Sequence, residues 1–371
     1  MRYIFLVPFL ALAACKQAYE PPVLTSQTQY LVVEGFINSG PDSTYFNLTH
    51  TANIRDTAIP SPELNAQVYV EANNNAAFPL AEIGQGRYGG GPLTLNPAGQ
   101  YRIHIKTKAG KEYVSDYSPL RISPPIDSIS WAAAANGGIQ LSANTHDPSQ
   151  NSRYYRWEYE ETWEFHSAYL SALQVVNGQV VQRDIDSIYT CWQSAHSTNI
   201  LLGSSAKLAN DEIFLAPLLN IPRYDWRLDV EYSILVRQYT LTQEAYTYWQ
   251  NLQQNSEQIG TIFGPLPSEI RGNIHNVTDT SELVVGYVSA GSLAQQRIFI
   301  FNNQLPFFWR SSFGSECVIK TVPIDSTAYY LNLGFIPLSS TLPPGSGYFM
   351  STKFCVDCTL YGNNRRPSYW Q

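Results

Sequence analysis

The sequence predicts a mainly β chain in two parts, an N-terminal immunoglobulin-like or prealbumin-like β-sandwich followed by a larger β-rich domain with at least one α-helix. Three observations carry this. Short runs of alternating apolar residues recur between clusters of Gly, Pro, Asn and Asp, the pattern of half-buried strands. Aromatic residues are abundant (Tyr 25, Phe 16, Trp 8) while only 14% of residues are charged, a balance that favours strands. Only one segment carries a convincing helical stripe. With 371 residues and 44% hydrophobic content the chain can bury real cores.

Taken in order, residues 15–29 are polar, contain the pair Pro21-Pro22 and lack periodicity, as a tether would. Strands are expected at 30–37, 43–49, 66–71, 100–106 and 112–117. In Tyr101-Arg102-Ile103-His104-Ile105-Lys106 the apolar side chains alternate strictly. Pro119, Pro124 and Pro125 then break the pattern, which puts a domain boundary in 118–125 and gives domains at 30–123 and 126–371. The most regular alternation is 155–165, where odd positions are aromatic except Glu161 and even ones are polar or charged. Residues 230–236 read as another strand. A helix is predicted over 243–259, capped by Thr242, with Glu244 in its first turn, Gly260 at its end, and Ala245, Tyr248, Leu252 and Ile259 on one stripe. Further strands are expected at 283–288, 297–301 and 328–333.

The first fifteen residues are a targeting signal. Arg2 supplies a basic start, residues 4–12 form an apolar run too short to span a bilayer, and Leu12-Ala13-Ala14-Cys15 is a lipobox. The expectation is a signal peptide at 1–14 and a lipid anchor on Cys15. No later segment approaches a membrane span, so the remaining chain is expected on one side of the membrane. A formal charge of −7 without any run of Lys and Arg argues against nucleic acid as a partner.

Other residues with chemical potential mostly have plainer readings. Cys191, Cys317, Cys355 and Cys358 form an even set that in an oxidising compartment suggests up to two disulfides, in one of three connectivities. The Cys355-Val356-Asp357-Cys358 spacing lacks both the second pair a structural zinc needs and the strand-to-helix context of a redox centre. Gly84-Gln85-Gly86-Arg87-Tyr88-Gly89 matches the dinucleotide fingerprint in letters but is followed by more glycines and Pro92, so it reads as a turn. Glu158, Glu160 and Glu164 project from one strand face and are expected to be solvated. Glu161 sits on the aromatic face and needs a partner, for which Arg153 and Arg237 are the candidates. The six histidines show no metal-ligand spacing, and no nucleophile elbow, P-loop or Ser-x-x-Lys is present. No catalytic residue, metal or cofactor is therefore expected. The proline-containing stretch 263–274 has the character of a functional loop, with a buried connection as the alternative.

Several of these segments together resemble a known family. The lipobox, Tyr30-Leu31-Val32-Val33-Glu34-Gly35, Pro125-Ile126-Asp127-Ser128-Ile129, Tyr154-Tyr155-Arg156-Trp157-Glu158-Tyr159, Ser233-Ile234-Leu235-Val236-Arg237-Gln238-Tyr239 and the closing Cys355-Val356-Asp357-Cys358 are similar to the domain of unknown function 4249 family. The resemblance implies an outer-membrane lipoprotein of Bacteroidota and, as partner, a TonB-dependent outer-membrane receptor. It supplies no catalytic or binding residues. The acidic run that often follows the acylated Cys in surface-exported lipoproteins is reduced here to Glu20 within Lys16-Gln17-Ala18-Tyr19-Glu20. The expectation is a non-enzymatic accessory or binding subunit facing the cell exterior, with the periplasmic face as the alternative side. A structural or assembly component of an envelope complex is the alternative function, and an extracellular hydrolase a weaker one.

Overall fold

The computed structural model describes residues 29–52, 60–184, 186–257, 270–305, 309 and 311–371. The signal peptide, Cys15, nearly all of the tether, and most of the loop expected at 263–274 lie outside these residues. The chain is mainly β, as the alternation predicts.

The first body contains β1 (Leu31–Asn38), β2 (Thr44–His50), β3 (Gln67–Ala72), β4 (Ala77–Gly84), β5 (Arg87–Gly90), β6 (Gln100–Lys106), β7 (Glu112–Ser115) and β8 (Ser118–Arg121). Alternate residues of β1, β2, β3 and β6, among them Leu31, Val33, Phe46, Leu48, Val70, Ile103 and Ile105, point into a single core. The glycine-rich string is the turn between β4 and β5, where Gly84, Gln85 and Gly86 all take positive φ. No helix follows it, so the phosphate-binding geometry is absent.

The second body begins with β9 (Ile126–Ala133), β10 (Ile139–His146) and the long β11 (Tyr154–His166). A hairpin of β12 (Leu173–Val176) and β13 (Gln179–Gln182) follows, then the one-turn α1 (Asp186–Tyr189), β14 (Thr190–His196), β15 (Leu201–Ser204), β16 (Glu212–Ile221) and β17 (Glu231–Thr240). Next comes α2 (Gln243–Glu257), where the Ala245 N–H donates to Thr242 Oγ1 at 3.2 Å as the sequence expects of a cap.

The chain then returns to the first body. β18 (Ile274–Asn276) pairs with β7, and β19 (Ala290–Gly291) lies parallel between β1 and β8. Because β8 also pairs with β6, the ladder β6-β3-β4-β5-β2-β1-β19-β8 closes on itself. Such closure removes the open edges that attract foreign strands. The sequence places this body at 30–123, yet residues 274–276 and 290–291 belong to its sheet; two- and three-residue pairings are too short to leave a periodic signal. The segment expected as a strand at 283–288 is extended but forms only the single bridge Val285 to Val32. Gly286 interrupts it at φ 137°, and a Cβ there would stand 2.1 Å from the Val33 carbonyl oxygen, so only glycine lets the returning chain lie this close to β1.

β20 (Leu293–Phe301) completes the larger sheet of the second body, β14-β11-β17-β20 with β15 also on β11. This sheet packs over β16-β10-β9, and Tyr155, Trp157, Phe165, Ile234 and Val236 meet Ile139, Leu141 and Leu218 between them. A small sheet of β21 (Lys320–Pro323), β22 (Phe335–Ser340) and β23 (Gly347–Thr352) carries α3 (Thr327–Asn332) and α4 (Lys353–Val356). The strand expected at 328–333 is thus corrected: it is α3. A six-residue run is short enough to satisfy either period, and Gly334 at φ 83° stops it as glycines stop helices. The disulfides join Cys191 to Cys358 and Cys317 to Cys355, so each half of the Cys355-Cys358 pair reaches a different distant strand or loop.

Candidate functional site

A groove of about 870 Å³ runs between the two bodies, within the size range of sites that enclose small ligands. One wall is the outward face of the first body. Cross-strand register places Glu34, Asn47 and Arg87 in one row and Phe36 and Tyr45 in the next. The opposite wall is the outward face of the larger sheet, where Glu158, Arg237 and Gln295 form one row and Arg156, Tyr239 and Leu293 another. Tyr248, Trp249 and Leu252 of α2 close one side. These positions are the polar half of each strand's alternation, whose other half fills the two cores.

Most polar groups of the wall formed by β11 and β17 are paired with one another, while Arg156 Nε is buried without a partner among the described residues. Arg156 forms an ion pair with Glu158, Nη1 to Oε1 at 2.7 Å, and its guanidinium lies 4.7 Å from the Tyr239 ring centre and 4.2 Å from that of Trp249. Tyr239 donates its hydroxyl to Glu158 Oε2 at 2.9 Å and takes the Phe36 ring edge-on at 5.0 Å. Burial, reinforced by the Glu158 charge, pushes the Tyr239 phenol well above its ordinary range, so it stays a proton donor at any physiological pH. Tyr248 meets Trp249 edge-on and lies 5.1 Å from Tyr287. Phe36 and Tyr287 come from the first body and its returning segment, so this aromatic cluster also joins the two bodies.

Several sequence expectations need correcting here. Glu158, Glu160 and Glu164 are half-buried and paired: Glu158 with Arg156, Glu160 with Arg237 at 3.3 Å, Glu164 with His166 at 3.2 Å and with the Trp370 indole N–H at 3.1 Å. The sequence expected solvated side chains because it could not show that α2 and the segment around Trp370 cover this face. Glu161 finds neither Arg153 nor Arg237. Arg227 grips it through 2.9 Å bonds to both carboxylate oxygens, and Tyr232 donates to it at 2.8 Å. Arg237 projects from the opposite face, and Arg153 instead faces Gln150 and the Ser205 carbonyl.

Among the described residues, five of the six histidines pair with acids, spread over both bodies. His50 meets Glu63 at 2.8 Å, His104 bridges Glu71 and Glu112, and His146 meets Asp127. Among the described residues no cluster of His, Cys, Asp and Glu has metal-binding geometry, and no helix is long and apolar enough to cross a membrane. The four cysteines lie in or beside apolar clusters of the second body, away from the groove. From the sequence, Glu158 reads as a solvated acid and Arg237 as a partner for Glu161, and no groove residue is expected to bind a ligand. The available signal was the unusual mix of Arg, Glu and Tyr at even positions of β11 and odd positions of β17.

The family model described as Domain of unknown function (DUF4249) matches residues 16–297, a span that holds every groove residue named above. The chain belongs to this family. No curated protein matches it. Among solved structures, a two-domain fibronectin type-III segment of chicken tenascin is 13% identical over 58% of this chain and 93% of that one, with a TM-score of 0.16. Chicken CNTN1 FN1–FN3 domains match at 14% identity over 57% and 62% of the two chains (TM-score 0.18), and Yersinia pseudotuberculosis adhesin InvE at 12% over 57% and 55% (TM-score 0.15). At these scores the likeness carries no argument. The DUF4249 match ends at residue 297, inside β20, so it leaves out the small disulfide-bonded sheet.

Proposed function

We propose that the protein is an outer-membrane-anchored lipoprotein that serves as a non-enzymatic accessory and binding subunit of a TonB-dependent transport system, and that the groove holds its cargo. The observation that carries the binding role is the groove itself: about 870 Å³ between two separately packed cores, with a wall of fixed Arg, Glu and Tyr groups. Preorganised polar groups in a concave site lower the ordering cost of binding. The lipobox at Leu12 to Cys15 supports the anchor. A second reading, a purely structural envelope component, draws on the apolar side chains exposed on and near the small sheet, including Val318, Tyr329, Leu333 and Phe354. The same surface would serve to dock a receptor.

The test is purification of the natively acylated protein from its own outer membrane in mild detergent, with mass spectrometry of what accompanies it. A TonB-dependent receptor in stoichiometric amount is the expected outcome. Recovery of the protein alone, or with assembly machinery only, overturns the transport reading in favour of the structural one.

A further inference from the structure

The charges in the groove divide into those already spent and those left over. Glu158 is engaged by Arg156 Nη1 and by the Tyr239 hydroxyl, while Arg156 Nε is buried without a hydrogen-bond partner among the described residues. Glu34, Asp42 and Arg87 are exposed and, among the described residues, none of them forms an ion pair. Arg87 rests over the Tyr45 ring, 4.3 Å from its centre, which leaves its N–H fork available. Among the described residues Arg237 makes one hydrogen bond, to Glu160 at 3.3 Å, for five donors. The groove therefore offers two uncommitted carboxylates and two under-used guanidinium groups, with Val32, Phe36, Leu252 and Leu293 supplying apolar surface.

This combination selects among ligand classes. A phosphorylated or polyanionic ligand would meet Glu34 and Asp42 as repulsive neighbours. A neutral sugar would seek aromatic faces to stack on, whereas Trp249, Tyr239 and Tyr45 are already engaged by Arg156 and Arg87. A short peptide with free termini satisfies both signs. Its carboxylate suits a guanidinium fork and its ammonium suits the free acids. Glu34 and Arg87 stand two strand spacings apart in one row, roughly 10 Å at the backbone. That distance allows the two ends of a peptide of a few residues to be held at once.

We infer that the groove between the two bodies binds short peptides through their charged termini, with Arg237 or Arg87 taking the carboxylate and Glu34 or, beyond the end of β1, Asp42 taking the ammonium. This rests on the reading of the groove as a cargo site.

The test uses the full-length protein in detergent, incubated with an equimolar mixture of tetrapeptides with free termini, the same mixture N-acetylated and C-amidated, and maltotetraose. Gel filtration followed by mass spectrometry reports what stays bound. Free-ended peptides are expected to be retained at least tenfold more than blocked ones, and Arg237→Gln or the pair Glu34→Gln with Asp42→Asn should each lower retention at least tenfold. Arg87→Ala, on the exposed rim, checks the effect in a variant whose unchanged melting curve certifies its fold. Equal retention of free and blocked peptides, or retention of maltotetraose alone, overturns the assignment. So does failure to retain any probe. Co-purification with a receptor, run in parallel on the same variants, separates this failure from failure of the accessory role: an intact receptor complex without peptide binding refutes only the ligand.

Discussion

The two bodies close their sheets by different means. In the first, strands are joined edge to edge until the ladder meets itself, and the closing piece, β19, arrives from far along the chain. Nothing covalent fixes that junction. In the second, two open sheets face each other, and the polypeptide beyond β20 is fastened to β14 by Cys191–Cys358 and cross-linked within itself by Cys317–Cys355. The difference teaches that the first body depends on the second for its completion, since the returning segment 270–291 springs from α2 and leads into β20. It also explains how a groove between them can be kept open. The bodies are joined by chain crossings near residue 122 and at residue 292, and by the cluster of Phe36, Tyr239, Trp249 and Tyr287.

The largest effect should come from cutting the first body away from its closing segment. A fragment of residues 29–125 loses β18 and β19, exposing the edges of β1, β7 and β8, and is expected to show no cooperative thermal transition. A sharp, native-like melt would break the comparison, because closure would then be dispensable.

Next in size is loss of the long-range disulfide. Replacing both Cys191 and Cys358 with Ser frees a cross-link spanning a sequence separation of 167, which the chain-entropy estimate values at about 5 kcal/mol. Denaturant melts should show it, with amide exchange faster in β11 and β14 and little changed in β1 and β2. Equal loss of protection in both bodies would mean that they unfold as one unit.

Arg227→Ala should cost about 3–5 kcal/mol, because it leaves the Glu161 carboxylate buried against Tyr232 without its cation. A double change of Glu161 and Arg227 to apolar residues should recover much of that loss, a cycle that separates pairing from packing.

The smallest effect has a sign fixed by linkage. Burial, with the Glu164 charge across the strand, holds the Glu231 carboxyl above its ordinary 4.5, and its Oε1 lacks a hydrogen-bond partner. The folded state thus prefers the protonated acid. The stability this group contributes is full below the ordinary value and falls away as pH rises through the folded value. Glu231→Gln should therefore raise the melting temperature at pH 7 more than at pH 4. A variant less stable than the parent at pH 7 would show that the charge is compensated.

How much of this was legible follows from the range over which each signal acts. The alternation in 100–106 and 155–165 reports local burial, and those strands are present at Gln100–Lys106 and Tyr154–His166. The cap at Thr242 and the turn at Gly84 to Gly86 are set by neighbours in sequence. By contrast, the partner of Glu161 lies 66 residues away, and the cover over Glu164 comes from Trp370, 206 residues on. Local pattern shows that such a group needs a partner without showing which. The run at 328–333 failed for another reason, since it is too short to separate a period of 2 from one of 3.6.

The sequence by itself determined that the chain is mainly β, which strands are half-buried, where the convincing helix begins, and the signature by which the family is recognised, because side-chain period and turn chemistry act over a few residues. The tertiary structure alone decided the ring closure through β19, the pairing of the cysteines, the Arg227–Glu161 bond and the groove. Each of these depends on which distant strands come to lie side by side, a choice made by the packing of whole cores.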